Sequence, residues 1–488
     1  MHADSTKKHP QSTQYYTVKQ GDTLYSIGLR FNYDYKQLAV WNQINPPYKL
    51  AIGQRLKLIN KPTSKNKPAT TASLNTIING RQINDTAFND SLSGKRLQQT
   101  ELVREVLTAN PRLKVARSVW EASTAQIAQS SALPDAKLSY GIAPLTIGND
   151  TTDFVQNVQV SQQLPWFGKL DSQSDSARFE AVRNYELLNT LSLELAAIAK
   201  KLYADWYLIH QAIQIHHNNL QLLRQVKTIA KTRYHVGKSN QQEILQSELE
   251  LSLLDQHRLQ LNQQQSEILG HLNTLLNRPV DSQLPPGEPL KAPLSLQKIN
   301  QLQTTALEQH PQIKAITASI DSLQAKKQHA WLAGFPDFDL KAGYNTIMDN
   351  DDKHFTVGVA INLPLNQNKY NAINDQASAL LKKAQWEKQD KVHQLGEEIQ
   401  LYGSKVIQQQ QTVKLYENKL LPLAKKNTQA ALADYQSGQG DFLVLIRAEK
   451  DWHSAQLKAK QALTSYHQAL TMLEYVIGVN DTSLDSDG

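Results

Sequence analysis

The chain of 488 residues contains no cysteine. That excludes disulfides, thiolate metal sites, a cysteine nucleophile and, as the chain stands, a lipidated N-terminal cysteine. No run of 18 apolar residues occurs either, which excludes a membrane-spanning helix and leaves a β-barrel as the only route across a bilayer. Met1-His2-Ala3-Asp4 opens without a basic region and an apolar one behind it. The chain therefore reads as cytosolic, or as a mature protein whose signal peptide has been removed. Catalytic signatures are missing too: Gly-x-Ser-x-Gly, His-Glu-x-x-His and a phosphate-cradling glycine loop are all absent. No catalytic residue and no cofactor is expected. Glu397-Glu398 reads as a solvated helix face.

Proline and glycine are absent where their absence says most. Lys169 to Tyr234 holds neither, a stretch of roughly 100 Å if helical throughout. Leu188, Leu191, Leu195, Ile198, Leu202, Trp206, Ile209, Ile213, His216, Leu220, Leu223 and Val226 recur at three- and four-residue steps. A globular core is never that long, so such a helix packs beside others of its length or helps to form a tube. A second one follows downstream, Tyr370 to Gln436, where Pro422 is expected to kink it. Landmarks around the two recur in the same order. Asn110-Pro111 answers His310-Pro311, Leu133-Pro134-Asp135 answers Phe335-Pro336-Asp337, and Leu164-Pro165 answers Leu363-Pro364. Tyr234 and Gly237 answer Tyr435 and Gly438. The body of the chain is an internal duplication.

Acidic charge is scarce at one end. Residues 1–75 carry eleven lysines and arginines against Asp4, Asp22 and Asp34, a balance of +8 in a chain of net charge +7. A basic head on a neutral body suits an anionic partner such as nucleic acid, an acidic polymer or a membrane surface, and it equally suits a lysine-rich soluble linker.

Residues 15–59 read as a βααβ unit. Tyr16-Thr17-Val18 is a strand, Gly21-Asp22-Thr23 turns into a helix near Leu24, Tyr33 to Asn42 is a second helical segment, and Gln54 to Leu58 closes with a strand. Tyr16 to Leu24, Ser26-Ile27, Leu38, Trp41-Asn42, Ile52-Gly53-Gln54 and Leu56 make this stretch closely resemble a LysM module. The resemblance implies binding of N-acetylglucosamine-containing glycans, and hence peptidoglycan, in a groove between Gly21, Asp22, Thr23 and Leu24 on one side and Asn45, Pro46 and Ile52 on the other. Asp22 and Thr23 also suit a helix cap. No nucleic-acid partner is then expected. Residues 1–14 read as a disordered N-terminus, 60–98 as a flexible linker and lead-in segment, and 481–488 as a disordered tail.

Leu102 to Leu133 reads as one helix stopped by Pro134. Two alternating runs follow, Leu138, Tyr140 and Ile142, then Val158 and Val160. The second repeat has Phe338, Leu340, Ala342 and Tyr344, then Phe355, Val357, Val359, Ile361 and Leu363. These are period-two strands with one apolar and one polar face, the polar one carrying Asp339 and Lys341. Four strands cannot close a barrel, but a homotrimer would supply twelve.

With the duplicated Asn/His-Pro entries, the hairpin ending Ser161-Gln162-Gln163-Leu164-Pro165-Trp166-Phe167-Gly168-Lys169 and the two Tyr-x-x-Gly tips, residues 97–478 resemble a protomer of the TolC family of outer-membrane efflux factors. The resemblance implies a mainly α fold with membrane β, a trimer with a twelve-stranded barrel in outer-membrane lipid and a long periplasmic helical barrel. It assigns 99–290 and 291–480 to two repeats of helix, β-hairpin and long helix. It implies a conduit out of the cell, fed by a periplasmic adaptor and an inner-membrane pump. Tyr234, Gly237, Lys238, Tyr435, Gly438 and Gly440 would then be adaptor-docking tips, and Asp441 would line the entrance as an acidic ring. Asp441 equally suits the N-cap of the last helix. Arg447 stands where many members carry an aspartate, which suggests an Arg447–Asp441 contact. His210, His216 and His217 lie on one helix at spacings that chelate poorly, and no metal site is expected. Two rival readings are a coiled-coil structural protein attached to the cell wall and a LysM-targeted cell-wall hydrolase.

Overall fold

The computed structural model describes residues 13–18, 24, 27, 35–44, 50, 51, 53–59, 96–142, 156–291, 306, 307, 309–346 and 353–479. The chain divides into two compact units, Met1–Gln82 and Ile83–Gly488.

In the first unit β1 (Thr13–Thr17) pairs antiparallel with β2 (Arg55–Ile59), with Tyr16 opposite Leu56. The first strand thus opens at Thr13, inside the segment read as a disordered N-terminus. Helix α1 (Tyr35–Trp41) covers the pair, and Val18, Leu24, Ile27, Leu38, Leu56 and Leu58 are buried together. Asn42 fastens helix to strand: its Oδ1 accepts from Lys57 N at 2.6 Å and its Nδ2 donates to Leu38 O and Lys57 O. Those bonds replace main-chain pairs that the strand would otherwise leave open.

The second unit begins with α2 (Gln99–Ala109) and α3 (Pro111–Ser131). The single helix expected from Leu102 to Leu133 is therefore broken at Asn110. Pro111 has no N–H to continue α2, so Asn110 turns extended (φ −65°, ψ 124°) and its Oδ1 accepts from Arg112 N at 2.9 Å. In the second repeat the His310 Nδ1 accepts from Gln312 N at 3.1 Å in the same way. The duplicated Asn/His-Pro landmark is thus an N-cap followed by proline in the first turn.

Strands β3 (Lys137–Ile142) and β4 (Gln156–Leu164) lead into α4 (Lys169–His235), 67 residues without a break, which returns through α5 (Gln241–Leu275). The second repeat gives α6 (Pro311–Leu332), β5 (Phe338–Thr346), β6 (Lys353–Ile361) and α7 (Gln367–Leu415). A five-residue π-helical stretch, Tyr416–Leu420, then joins α7 to α8 (Leu421–Ser437). Pro422 cannot donate to the preceding turn, and Leu421 N reaches back to Tyr416 O, so the wider turn absorbs the ring. Helix α9 (Phe442–Ile477) closes the unit. Three apolar clusters are strung along α4 and its neighbours. In the middle, Trp206 Nε1 donates to Pro285 O and the Tyr203 hydroxyl reaches Leu97 O and Glu288 O. There also Lys200 Nζ meets Glu474 Oε2 at 2.6 Å, both side chains nearly enclosed.

Candidate functional site

The four strands form one antiparallel sheet in the order β3-β4-β5-β6. Because directly opposed residues point to the same side, the register decides what each face carries. Leu138 opposes Val160, which opposes Ala342, which opposes Val357; Tyr140, Val158, Tyr344 and Phe355 form the next row. One face is therefore apolar across all four strands. It is also bare: Leu138 is 73% exposed, Phe355 70% and Val357 75%. The other face holds Ser139, Gln159, Gly343 and Thr356 in one row and Lys137, Ser161, Lys341 and Gly358 in the next, with Asn157, Gln163 and Asp339 nearby. Lys341 Nζ lies 3.6 Å from Asp339 Oδ2 on that polar side.

Where sheet becomes helix, Trp166 stacks against Phe335 and Phe338, and its backbone N–H donates to Asp337 Oδ1. Lys169 Nζ donates to the same carboxylate oxygen at 2.7 Å and to Phe335 O at 2.9 Å. Gly168 (φ 84°) supplies the left-handed turn that swings the chain into α4. The two repeats are thus locked together at the root of the strands.

At the far end lie two helix reversals. Gly237 (φ 70°) and Gly438 (φ 87°) adopt the left-handed conformation that a short reversal requires. At Gly440 a Cβ would come within 2.8 Å of Tyr435 N, so only glycine fits. Asp441 Oδ1 accepts from Leu443 N at 2.6 Å and from Val444 N at 3.4 Å, which makes it the N-cap of α9. Asn240 caps α5 in the same manner through Glu243 N. Arg233 binds the reversals to each other. Its guanidinium sits 4.5 Å over the Tyr435 ring, and it donates to Tyr435 O and Lys238 O. The Tyr435 hydroxyl donates to Glu243 Oε2 at 2.5 Å; burial and that neighbouring carboxylate push the phenol well above its ordinary range.

Two turns into α9, Glu449 is 2% exposed with Oε1 unpartnered, and burial beside Glu250 pushes its carboxyl up to about 7, against the opposing pull of Lys450. A raised value means that Glu449 favours the packed state fully below about pH 4.5 and that this contribution is lost as pH rises through 7. Glu449→Gln is therefore expected to stabilise the protein by about 1–3 kcal/mol at pH 8 and to change little at pH 5. Denaturant midpoints at the two pH values measure it.

The family model described as outer membrane efflux protein matches residues 102–278 and 302–479. The chain belongs to that family. A LysM domain model matches residues 16–58 of this efflux protein. Its fold is that of solved outer-membrane channels. The outer membrane protein VceC of Vibrio cholerae is 16% identical with a TM-score of 0.67, over 78% of this chain and 96% of that one. The open-state MtrE outer-membrane channel of Neisseria gonorrhoeae is 18% identical with a TM-score of 0.65, over 78% and 89%. A lipoprotein NlpD/LppB homolog of Pseudomonas aeruginosa is 37% identical over 73 residues, 14% of this chain and a quarter of the lipoprotein's length. The matched family and structures are channels. Among the described residues no helix is long and apolar enough to cross a membrane.

The efflux protein's expected site residues fall in different surroundings. Tyr234 is 43% exposed and Lys238 is exposed with it, whereas Tyr435 is fully enclosed. Tyr435 therefore presents no side chain to a partner and serves to hold the tip. Arg447 is exposed, and no ion pair joins it to Asp441. The suggested Arg447–Asp441 contact is absent because the Asp441 carboxylate is engaged by the start of its own helix. Of the glycan-groove residues, Leu24 is part of the module's buried core. Gly21, Asp22, Thr23, Asn45, Pro46 and Ile52 lie outside the described residues. The Arg233–Tyr435–Glu243 node was missed from sequence, since its members come from different repeats.

Proposed function

We propose that three copies of this chain close their sheets into one twelve-stranded barrel in the outer membrane. It would continue into a hollow helical barrel in the periplasm and serve as the export duct of an efflux or secretion system. An inner-membrane pump and a periplasmic adaptor would deliver the substrate, and the adaptor would dock at the tips around Tyr234, Gly237, Lys238, Gly438 and Gly440. The LysM module would hold the duct to peptidoglycan. The observation that carries this reading is the sheet: a continuous bare apolar face, an opposite polar face, and two outer strands, β3 and β6, each with an unpaired edge among the described residues. Nine residues of strand span about 30 Å, enough to cross hydrocarbon when tilted. An isolated sheet of this kind would aggregate through its edges; closure across protomers removes them.

Since the chain has no native cysteine, cysteine pairs placed along β3 and β6, such as Ser139→Cys scanned against Thr356→Cys, Gly358→Cys and Ala360→Cys, test closure directly. The expected result is covalent trimers after oxidation, which reduction dissolves. Cross-linking that yields only intramolecular bonds or none would overturn the barrel.

In that trimer three copies of Asp441 ring the entrance and favour cations. Asp441→Asn keeps a good helix cap while removing the charge. Reduced cation preference in reversal-potential measurements, with unchanged thermal stability, is the expected outcome.

A further inference from the structure

Three histidines that stand far apart in sequence meet where α9 packs on the α4–α5 pair. His216 of α4 is 3% exposed, and neither of its ring nitrogens has a hydrogen-bond partner among the described residues. Its ring centroid lies 5.6 Å from that of His257 on α5, and both imidazoles are near enough to act electrostatically on His453 of α9. The other charges acting on His216 are Arg258 and Asp255 from α5 and His217 from its own helix. One basic and one acidic neighbour leave no net counter-ion for a charged imidazole there. Below the cluster lies the tip core of Leu223, Val226, Tyr435, Phe442 and Leu445, which begins roughly two helical turns nearer the reversals.

We propose that His216, His257 and His453 form an acid-released latch that holds α9 against the α4–α5 pair above the helical tips. Neutral imidazoles pack as flat, weakly polar groups, and the seam stays shut. Protonation places like charges on His216 and His257, whose rings lie 5.6 Å apart, with His453 adding a third, in a partly buried seam where the neighbouring Asp255 carboxylate is itself paired with Arg258. Burial and the neighbouring imidazoles hold His216 and His453 below the ordinary imidazole range. Separated helices therefore take up protons first, so the latch is favoured above about pH 6.5 and weakens as pH falls below it. Glu449, one turn before His453 on α9, acts with the opposite sign: facing Glu250 and Lys450, it tightens the same seam as pH falls through about 7. An acid opening must therefore come from the histidines. The consequence, an entrance that loosens in acid, rests on the duct reading above; the latch itself does not.

Spin labels at Gln256→Cys on α5 and Asp451→Cys on α9, both exposed positions, read the seam by electron–electron distance measurement. The full chain is used, diluted in unlabelled chain so that the reading is the same for a monomer and for an oligomer. The expected result is a longer, broader distance distribution at about pH 5 than at about pH 8, equal or larger in Glu449→Gln, which loses the opposing titration, and abolished when the three histidines become glutamine. His453→Asn alone, at a half-buried position, should reduce the shift if the triple variant does not fold. No shift in the parent chain, or the same shift in both histidine variants, would overturn the latch.

Discussion

Removing residues 13–59 abolishes retention of the protein on purified peptidoglycan and leaves the rest of the chain folded. Both halves of this expectation follow from the division into two units. The module has its own core of Val18, Leu24, Ile27, Leu38, Leu56 and Leu58, and strands β3 to β6, the long helices and their clusters all lie in the second unit. A rival explanation for retention is charge, because the first 75 residues hold a balance of +8 and cell-wall polymers are acidic. Salt separates the two. At 1 M the screening length is about 3 Å, so electrostatic retention washes away while glycan contacts through close hydrogen bonds persist. Asn42→Ala provides an internal control, because it strands the N–H and C=O of Lys57 and the Leu38 carbonyl. A loss of about 2–3 kcal/mol is a large fraction of the stability of so small a module, so binding should fall without any change in charge. Undiminished pull-down by the deleted protein would remove the anchoring role.

Lys200→Met is expected to lower the stability of the helical body by about 3–5 kcal/mol, the largest effect of any single change discussed for that unit. Lys200 and Glu474 meet at 2.6 Å across α4 and α9, with side-chain exposures of 10% and 5%. Truncating the lysine removes the cation that sits 2.6 Å from the Glu474 carboxylate in a nearly enclosed site, and the desolvation of that carboxylate then accounts for most of the cost. The paired change Lys200→Met with Glu474→Leu removes both charges and should recover most of the loss. Denaturant midpoints of the single and double variants decide the matter. A single variant as stable as the parent would mean that the seam admits water or rearranges around the charge.

The long helix was legible because a 67-residue element leaves little else for an apolar period of three to four without proline or glycine to become. The strands were legible for the same kind of reason: Phe338 to Tyr344 and Phe355 to Ile361 alternate strictly, and the observed register puts every one of those apolar side chains on one face. Boundaries were less so. Pro111 looked like part of a continuous helix until the Asn110 cap was seen, and Pro422 announced a disruption without saying that a π-turn would absorb it. The tips and the histidine seam were illegible in a deeper sense. Tyr435 looked like a docking residue because its tyrosine–glycine spacing matches Tyr234, yet Arg233 and Glu243 from the other repeat enclose it. His216 was read beside His210 and His217, its neighbours in sequence, whereas its neighbours in space are His257 and His453. A linear pattern reveals which face of a helix is apolar; it does not reveal which distant helix that face will meet.

Image averages of the detergent-extracted full chain test the central claim most directly. Threefold particles with a short wide collar, a long tube beneath it and a continuous hollow axis are the predicted result. Particles of a single protomer, or a threefold body whose axis is filled, would contradict it.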